Sequence, residues 1–303
     1  MSGQLFHETI ANWQDWGNVF QSLSAFTPLS QEICRREHLP WHPLSPLTPG
    51  TNGVFRCGEF VLKIFFPKES GLDPTPDFLT ETAVCHQMAA WGIPTPALIG
   101  EGMIADKYDF FYLVTGFSQG IEAGTWLSKA SAAEKEAFVT RLEELLEKIH
   151  KPVQGLLPEQ DLKSAARNNP KLQKLPPHLA QEIRERVDKL PLTHCVLTHG
   201  DLTGENLLVQ EDGSLIIIDW ADAHLAPSWY ELGPIAFELF QGDGHLWKLF
   251  AGKNQEAFLE GLLDCVCVHD FGADFLIQLA QRENLPPFQN LQEVRKLAEQ
   301  KLG

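Results

Sequence analysis

The stretch that decides the fold reads His199-Gly200-Asp201-Leu202-Thr203-Gly204-Glu205-Asn206, and the chain soon continues with Ile216-Ile217-Ile218-Asp219-Trp220. Three polar residues in these motifs have the order and spacing of a phosphoryl-transfer site, with Asp201 as the base and Asn206 and Asp219 as metal ligands. His-Gly-Asp alone would be a weak signal, because three residues recur by chance. The complete pattern is more specific and predicts phosphoryl-transfer chemistry.

The residues between the two motifs predict a β-hairpin. Apolar runs at 207–209 and 215–218 flank the turn signal Asp212-Gly213. If that dipeptide is a two-residue loop, Asn206 and Asp219 pair directly across the hairpin, with Cβ atoms about 5 Å apart. Carboxamide and carboxylate oxygens suit a hard cation such as Mg²⁺. The pattern therefore predicts one cation that bridges Asn206 and Asp219.

On these residues the chain resembles the aminoglycoside phosphotransferase and choline kinase superfamily. The resemblance implies an α+β, two-lobed protein-kinase-like fold, with a small lobe of antiparallel sheet plus one helix and a large, mostly helical lobe. It also implies that Asp201 is the catalytic aspartate and that Asn206 and Asp219 hold the metal. ATP and Mg²⁺ are the cofactors expected for such an enzyme.

A lysine within an apolar run is a second sign of nucleotide binding. Lys63 interrupts Phe60-Val61-Leu62-Lys63-Ile64-Phe65-Phe66, and a buried lysine needs an acidic partner. Thr75-Pro76 predicts the N-cap and first residue of a helix that ends before Gly92. Glu81 is the only glutamate in that helix, and its separation from Lys63 is close to that in the resembling family. We therefore expect Glu81 to hold Lys63 against the nucleotide phosphates.

A short loop with two glycines precedes Lys63, where a kinase covers the nucleotide phosphates. It lacks the Gly-x-Gly-x-x-Gly pattern, but its glycines let backbone N–H groups approach a phosphate closely. A plain hairpin turn is the other interpretation of this segment. The residues assigned to the phosphate-covering loop are Gly50, Thr51, Asn52 and Gly53.

The motifs divide the chain into three segments. Residues 1–45 have aromatic residues at partly helical spacing, which predicts a helical extension packed on the small lobe. The small nucleotide-binding lobe is assigned to 46–116, and the large catalytic and substrate lobe to 117–303. In the resembling family the connection between the two lobes is the hinge, whose backbone groups bind adenine. Thr115 and Phe117 flank this boundary and are therefore assigned to the nucleotide site.

The clearest helix of the large lobe is predicted from Ser131 to His150. Ser131 and Glu134 have the spacing of a capping box. The apolar positions that follow recur at helical spacing and predict a core helix; they are Phe138, Leu142, Leu145, Leu146 and Ile149.

The charge of the chain bears on its partners. The 303 residues carry a net charge of −16, and 44% of them are hydrophobic. Nucleic acid or an anionic membrane would need a basic face, so neither is expected as the main partner. The expected partner is a small molecule that carries the accepting hydroxyl group. A cationic acceptor is compatible with the charge, although many proteins are acidic for solubility alone.

The cysteines and the N-terminus bear on location. Six cysteines are scattered along the chain with neither a disulfide framework nor zinc-site spacing. The first residues show no basic region followed by an apolar core, and the sequence has no uncharged apolar run of 18 residues. A cytoplasmic protein with reduced thiols is therefore expected.

Several residues near the motifs have more than one interpretation. His199 is expected to brace the catalytic loop, although it could also serve as a base. Glu231 stands where the family usually has aspartate; it is one methylene longer, so its contact with that loop could be rearranged. Asp222 and Glu205 are either ligands of a cationic acceptor or solvated charges.

The function predicted from the sequence is transfer of the γ-phosphoryl group of ATP to a hydroxyl of an aminoglycoside-, choline- or sugar-like molecule. The identity of that acceptor stays open, because the helices after residue 235 carry no motif. A catalytically silent, nucleotide-binding regulatory protein is the alternative. A protein kinase proper is disfavoured, because Asp219-Trp220-Ala221 is not Asp-Phe-Gly and no Ala-Pro-Glu motif follows.

Overall fold

The chain forms two compact units in the computed structural model, which describes residues 3–303. The first two residues of the predicted extension lie outside the described residues. The first unit runs to Gln119 and also contains Asp219–Ala221, while the second consists of Gly120–Ile218 and Asp222–Gly303. The division therefore falls just beyond the boundary predicted at residue 116, and it groups Asp219 with the N-terminal unit.

The first unit is built around a five-stranded antiparallel sheet with the strand order β1-β2-β3-β5-β4. Its elements are α1 (Trp13–Val19), α2 (Leu23–Arg36), β1 (Leu44–Pro46), β2 (Gly53–Cys57), β3 (Phe60–Ile64), α3 (Thr75–Trp91), β4 (Leu98–Ala105) and β5 (Asp109–Gly116). Strand β3 is the centre of the sheet, because it pairs with β2 on one side and β5 on the other. Lys63 consequently lies on the middle strand of this sheet.

The N-terminal segment packs on this sheet through aromatic side chains. The ring of Phe26 in α2 lies 5.2 Å from that of Phe55 in β2, and the ring of Phe6 lies 5.0 Å from that of Phe110 in β5. All four rings are fully buried. Burial of one such side chain stabilises a fold by about 1.5–3 kcal/mol, so the extension is part of the core of this unit.

Helix α3 begins one residue earlier than predicted. Thr75 is its first helical residue, so the prediction of Thr75 as the N-cap is wrong. A carboxylate oxygen of Asp73 accepts hydrogen bonds from both the backbone N–H (3.0 Å) and the hydroxyl (2.6 Å) of Thr75. Asp73, which precedes the helix, therefore provides a hydrogen-bond acceptor for the first N–H group of α3. The helix ends before Gly92, as predicted.

The second unit is mostly helical. Its elements are β6 (Ile121–Glu122), α4 (Ala123–Leu127), α5 (Ala132–Ile149), α6 (Leu162–Arg167), α7 (Pro177–Lys189), β7 (Val196–Thr198), β8 (Leu207–Val209), β9 (Leu215–Ile217), β10 (His224–Ala226), α8 (Gly244–Ala251), α9 (Gln255–Val268), α10 (Gly272–Arg282) and α11 (Leu291–Leu302). The capping box of α5 is confirmed, since Ser131 and Glu134 exchange both hydrogen bonds. The predicted core positions of α5 are buried.

The hairpin of β8 and β9 forms, but its predicted register is wrong by one residue. Leu207 pairs with Ile217, and the backbone N–H of Ile218 donates to the carbonyl of Asn206 at 3.0 Å. The loop has three residues instead of two, because Gly213 takes a left-handed conformation with φ of 78°. Ile218, and not Asp219, therefore stands opposite Asn206.

Candidate active site

Lys63 is paired with two carboxylates inside the first unit. Its Nζ lies 2.6 Å from Oε2 of Glu81 on α3 and 2.7 Å from Oδ1 of Asp219. Lys63 and Glu81 are buried, whereas the side chain of Asp219 is 39% exposed. The fold of this unit thus joins the lysine and glutamate paired by sequence reasoning, and it adds Asp219 as a second partner.

The charge of Lys63 is fixed by these partners. Burial by itself would lower the pKa of Lys63, but the charges and hydrogen bonds of Asp219 and Glu81 outweigh that effect and hold the pKa well above its usual range. Lys63 is therefore a cation at every physiological pH. A permanent cation on a central strand is suited to binding phosphate.

Asp219 has a backbone conformation that is unusual for a residue with a side chain. Its φ is 61°, in the left-handed region that Asp tolerates better than most residues. The next residue, Trp220, is buried, and its Nε1–H donates to the hydroxyl oxygen of Thr95 at 3.1 Å. Trp220 anchors the turn, so the carboxylate of Asp219 is held against Lys63.

The predicted phosphate-covering loop connects β1 to β2 and is supported by the N-terminal extension. The indole N–H of Trp16 in α1 donates to the carbonyl of Thr51 at 2.8 Å. The side-chain oxygen of Asn52 is buried and accepts from the backbone N–H of Phe66 at 3.3 Å. A Cβ on Gly53 would lie 3.1 Å from the carbonyl of Phe20, whereas one on Gly50 would meet nothing within 4 Å. The loop is thus anchored at its C-terminal end and open at Gly50.

The two residues assigned to the hinge lie in β5 and directly after it. Thr115 lies in β5, opposite Val61 of β3. The backbone N–H of Phe117 donates to the carbonyl of Glu59 at 2.8 Å, and the guanidinium of Arg56 lies 3.8 Å from the centre of the Phe117 ring. The turn between β2 and β3 therefore contacts the segment that was assigned to the hinge.

Asp201 is oriented by Asn206 inside the second unit. The Nδ2 of Asn206 donates to the carboxylate oxygen Oδ2 and to the backbone carbonyl of Asp201, both at 2.9 Å. These bonds use the nitrogen of the carboxamide, and the oxygen is the atom of Asn206 that has the chemistry of a hard-metal ligand. Asn206 therefore positions Asp201 while keeping the chemistry of a ligand.

Glu231 braces the residues that precede Asp201. Its two carboxylate oxygens accept from the backbone N–H groups of His199 (2.7 Å) and Gly200 (3.0 Å). His199 in turn accepts from the N–H of Asp201 through Nδ1 (3.2 Å), so Nε2–H donates to the carbonyl of Ile218 at 3.0 Å. The glutamate thus makes the brace despite its extra methylene, and His199 has the bracing role.

The charge of Glu231 persists although the group is buried. Burial would raise its pKa, but the nearby His150 side chain and the hydrogen bond from the backbone N–H of His199 outweigh that effect. The pKa of Glu231 is consequently lower than usual. An ionised carboxylate makes stronger hydrogen bonds to backbone N–H groups than a neutral one would.

His269 contacts the loop before Asp201, and sequence reasoning missed this residue. It directly follows α9, is buried, and its Nε2 lies 2.8 Å from the carbonyl oxygen of Gly200. Gly200 has a φ of 81°, and a Cβ there would overlap the carbonyl of Asp222. Only the fold could reveal this contact, since a lone histidine after an apolar helix has no distinguishing pattern.

Comparison with known proteins identifies the family. The profile of the phosphotransferase enzyme family matches residues 50–264, which is more than half of the chain. The chain belongs to this family. This phosphotransferase is therefore a small-molecule kinase, as the resemblance implied. No curated protein sequence matches the chain.

Solved structures confirm the fold of this phosphotransferase. Aminoglycoside 2'-phosphotransferase IIIa is 17% identical, with a TM-score of 0.62 over 93% of this chain and 99% of that one. A thermostable mutant of aminoglycoside phosphotransferase APH(4)-Ia is 13% identical, with a TM-score of 0.59 over 90% and 97% of the two chains. At such identities the likeness shows the fold alone, and it confirms the predicted kinase-like α+β class.

The donor groups of this phosphotransferase suit Mg²⁺. Within residues 3–303, no group of three or more His, Cys, Asp or Glu could hold a metal ion. Mg²⁺ commonly takes one or two protein ligands and completes its shell with water and substrate phosphates. The part-exposed carboxylate of Asp219 and the carboxamide oxygen of Asn206 are both hard donors of the required kind.

Among the helices described within residues 3–303, none is long and apolar enough to cross a membrane.

Proposed function

We propose that this phosphotransferase moves the γ-phosphoryl group of ATP to a hydroxyl group of a small molecule, with Mg²⁺ as the metal. The observation that carries the proposal is the ion-paired group of Lys63, Glu81 and Asp219. Each of these residues was selected from a separate sequence motif, and each fits the part that phosphoryl transfer needs. Such chemistry relies on positioning and electrostatics, because charge spreads over the phosphoryl oxygens in a loose transition state.

The proposed roles follow from the contacts of each residue. Lys63, held by Glu81, binds the nucleotide phosphates and neutralises the charge of the group in transfer. Asp201 orients the acceptor hydroxyl and takes its proton, and Asn206 holds the Asp201 carboxylate in place. Asn206 and Asp219 are the proposed ligands of Mg²⁺, which when bound neutralises phosphate charge.

The nucleotide site is proposed to include the loop Gly50, Thr51, Asn52 and Gly53. Two hydrogen bonds support this proposal, one from Trp16 to Thr51 and one from Phe66 to Asn52, because they restrain the loop. At the other end of the loop, Gly50 has free space beside its Cα, where a phosphate could approach. Thr115 is proposed as the hinge contact with the base. Phe117 is proposed to contribute through its ring and carbonyl, because its N–H donates to Glu59.

The acceptor is proposed to be an aminoglycoside-, choline- or sugar-like molecule. Among the similar structures, the 2'-phosphotransferase is a complex with GDP, and the APH(4)-Ia mutant is a complex with ADP and hygromycin B. The net charge of −16 supports a cationic acceptor. All six cysteines are free thiols and five are buried, which supports a cytoplasmic location.

A metabolite screen tests the proposal. Purified protein with Mg·ATP is offered hydroxylated amines, sugars and aminoglycosides one at a time, and ADP release is measured. We expect one chemical class to raise the rate well above hydrolysis by water, and the Asp201→Asn protein serves as the matched control. If the wild type binds Mg·ATP but no compound raises its rate above that of Asp201→Asn, the regulatory alternative replaces the enzyme.

A further inference from the structure

Gly200, the residue before Asp201, is held through both of its backbone polar groups. Glu231 accepts the N–H of Gly200 at 3.0 Å, and the Nε2 of His269 lies 2.8 Å from the Gly200 carbonyl. The carbonyl belongs to the peptide bond that joins Gly200 to Asp201. Its direction therefore fixes the direction in which the Asp201 backbone leaves the loop.

His269 is itself fixed in one orientation and one tautomer. The backbone N–H of Phe271 donates to its Nδ1 at 3.0 Å, so the ring hydrogen is on Nε2 and points at Gly200. The ring of Tyr230 stacks on it at 4.3 Å between centroids, and the ring of Phe275 lies at 5.1 Å. These ring contacts and the two hydrogen bonds hold the imidazole facing the loop.

The charge state of His269 agrees with this geometry. Burial lowers the pKa of His269 to about 3. The ring is therefore neutral at pH 7 and donates one hydrogen bond without adding a positive charge near Asp201. A neutral donor can orient the loop and still leave the carboxylate free to accept a proton.

We infer that His269 is a positioning residue for phosphoryl transfer: its Nε2–H holds the Gly200 carbonyl and thereby aims the carboxylate of Asp201 at the acceptor hydroxyl. This inference rests on the proposed function, and it extends the catalytic apparatus to the turn between α9 and α10. His269 acts through Gly200. It contacts neither the nucleotide nor the acceptor in this scheme.

Four proteins test the inference: the wild type, His269→Leu, His269→Gln and Val268→Ala. Leucine fills the space without a donor, and glutamine restores an N–H donor. Val268→Ala is the matched control, because Val268 is the buried neighbour in α9 and its side chain has no part in the hydrogen bond to Gly200. For each protein, Mg·ATP hydrolysis per folded molecule and the rise in melting temperature with Mg·ATP are measured.

We expect His269→Leu to lower the hydrolysis rate about tenfold, the effect of losing one orienting hydrogen bond. His269→Gln should recover at least half of the lost rate on a logarithmic scale, and Val268→Ala should hydrolyse like the wild type. The melting-temperature rise with Mg·ATP should be equal in all four. A wild-type rate in His269→Leu overturns the inference. So does a rate in His269→Gln no better than in His269→Leu when both are folded.

A second measurement on the wild type does not depend on turnover or on a folded variant. Long-range ¹⁵N NMR of the histidine rings should show His269 as the neutral Nε2–H tautomer at pH 7 and still at pH 5. A ring protonated at pH 5, or one with its hydrogen on Nδ1, overturns the inference. Absence of any Asp201-dependent hydrolysis in the wild type, with the expected NMR result, would instead defeat the proposed function.

Discussion

The two units hold their candidate functional residues by different means. In the first unit, Lys63 is fixed by charge, with Glu81 and Asp219 both within 2.7 Å of its Nζ. In the second unit, the backbone around Asp201 is fixed by hydrogen bonds from side chains distant in sequence, chiefly Glu231 and His269. The first arrangement keeps Lys63 charged, and the second fixes the backbone direction at Asp201.

This difference has a chemical reason. A group that neutralises phosphate must be charged, and burying it requires nearby opposite charges. A base must keep a titratable carboxylate beside the acceptor, so orienting it through its backbone avoids placing a salt bridge on the reacting group. Substitutions in the first unit should therefore affect stability and nucleotide binding together. Substitutions of Asp201 and of the residues that orient it in the second should affect turnover more than nucleotide binding.

The sharpest way to break this comparison is Asp201→Asn. We expect turnover to fall about 10²–10⁴-fold, because the positioned base is lost, while nucleotide affinity stays the same. The measurement is ADP release at saturating Mg·ATP, together with the nucleotide-induced rise in melting temperature. A parallel loss of both would show that Asp201 also serves the nucleotide, and the division of labour would fail.

Lys63→Met probes the charged group of the first unit. Loss of the lysine leaves buried Glu81 without its cation, so we expect the free energy of unfolding to fall by about 3 kcal/mol. The rise in melting temperature with Mg·ATP should also disappear. Urea unfolding and thermal melts measure the two effects.

Glu81→Gln is the comparison for Lys63→Met. It should cost about 1–2 kcal/mol, because Lys63 keeps Asp219 as an ion partner. Phosphoryl transfer should slow in this protein, since the lysine loses one of its two orienting contacts. A cost as large as that of Lys63→Met would mean that Asp219 does not compensate and that Glu81 is mainly structural.

The pH dependence of stability tests the buried state of His269 in the second unit. The pKa of His269 is about 3 in the folded state and about 6.5 in the unfolded chain, so between these values only the unfolded chain takes the extra proton. The free energy of unfolding should therefore fall as the pH falls, by about 2 kcal/mol between pH 6.5 and pH 5. The charged or titratable groups that influence His269 are Glu231, His224 and Lys171.

The same measurement on His269→Gln isolates this contribution. That protein should lose about 2 kcal/mol less than the wild type over the same pH interval. Glu231 acts in the same direction at lower pH, because its pKa is lower in the folded state and its contribution is lost as the carboxylate protonates. Identical pH profiles for the two proteins would contradict the neutral, buried state of His269.

The smallest expected effect concerns the loop of the first unit. Trp16→Phe removes the hydrogen bond to the Thr51 carbonyl but keeps most of the packing, so we expect a cost of about 1 kcal/mol. Nucleotide affinity should fall by less than about tenfold, which calorimetry with Mg·ADP can measure. Trp41→Phe is the matched control, because its indole donates to Ser30 of α2 and not to the loop. Equal affinities in the two variants would exclude loop support by α1.

The local sequence was sufficient to predict a contact where the residue type requires a particular kind of partner. A lone lysine in an apolar strand needs an acidic partner, and the spacing of the resembling family pointed to Glu81, the one glutamate of α3. The capping box at Ser131 was equally local, because its two hydrogen bonds join residues three positions apart.

Sequence reasoning failed where two local conformations were nearly equal in energy. Asp212-Gly213 fits either a two-residue or a three-residue loop, and the left-handed Gly213 of the longer loop displaced Asp219 from its predicted place opposite Asn206.

The sequence by itself determined the chemistry of this protein: the phosphotransferase motifs, the charged partner of Lys63 and the kinase-like class. Only the tertiary structure decided what holds the loop before Asp201, because Glu231 and His269 reach Gly200 from 31 and 69 residues away along the chain. Motifs record residue types at fixed short spacings, since bonded geometry constrains them. Contacts over such separations depend on how whole helices pack, and no local pattern encodes that packing.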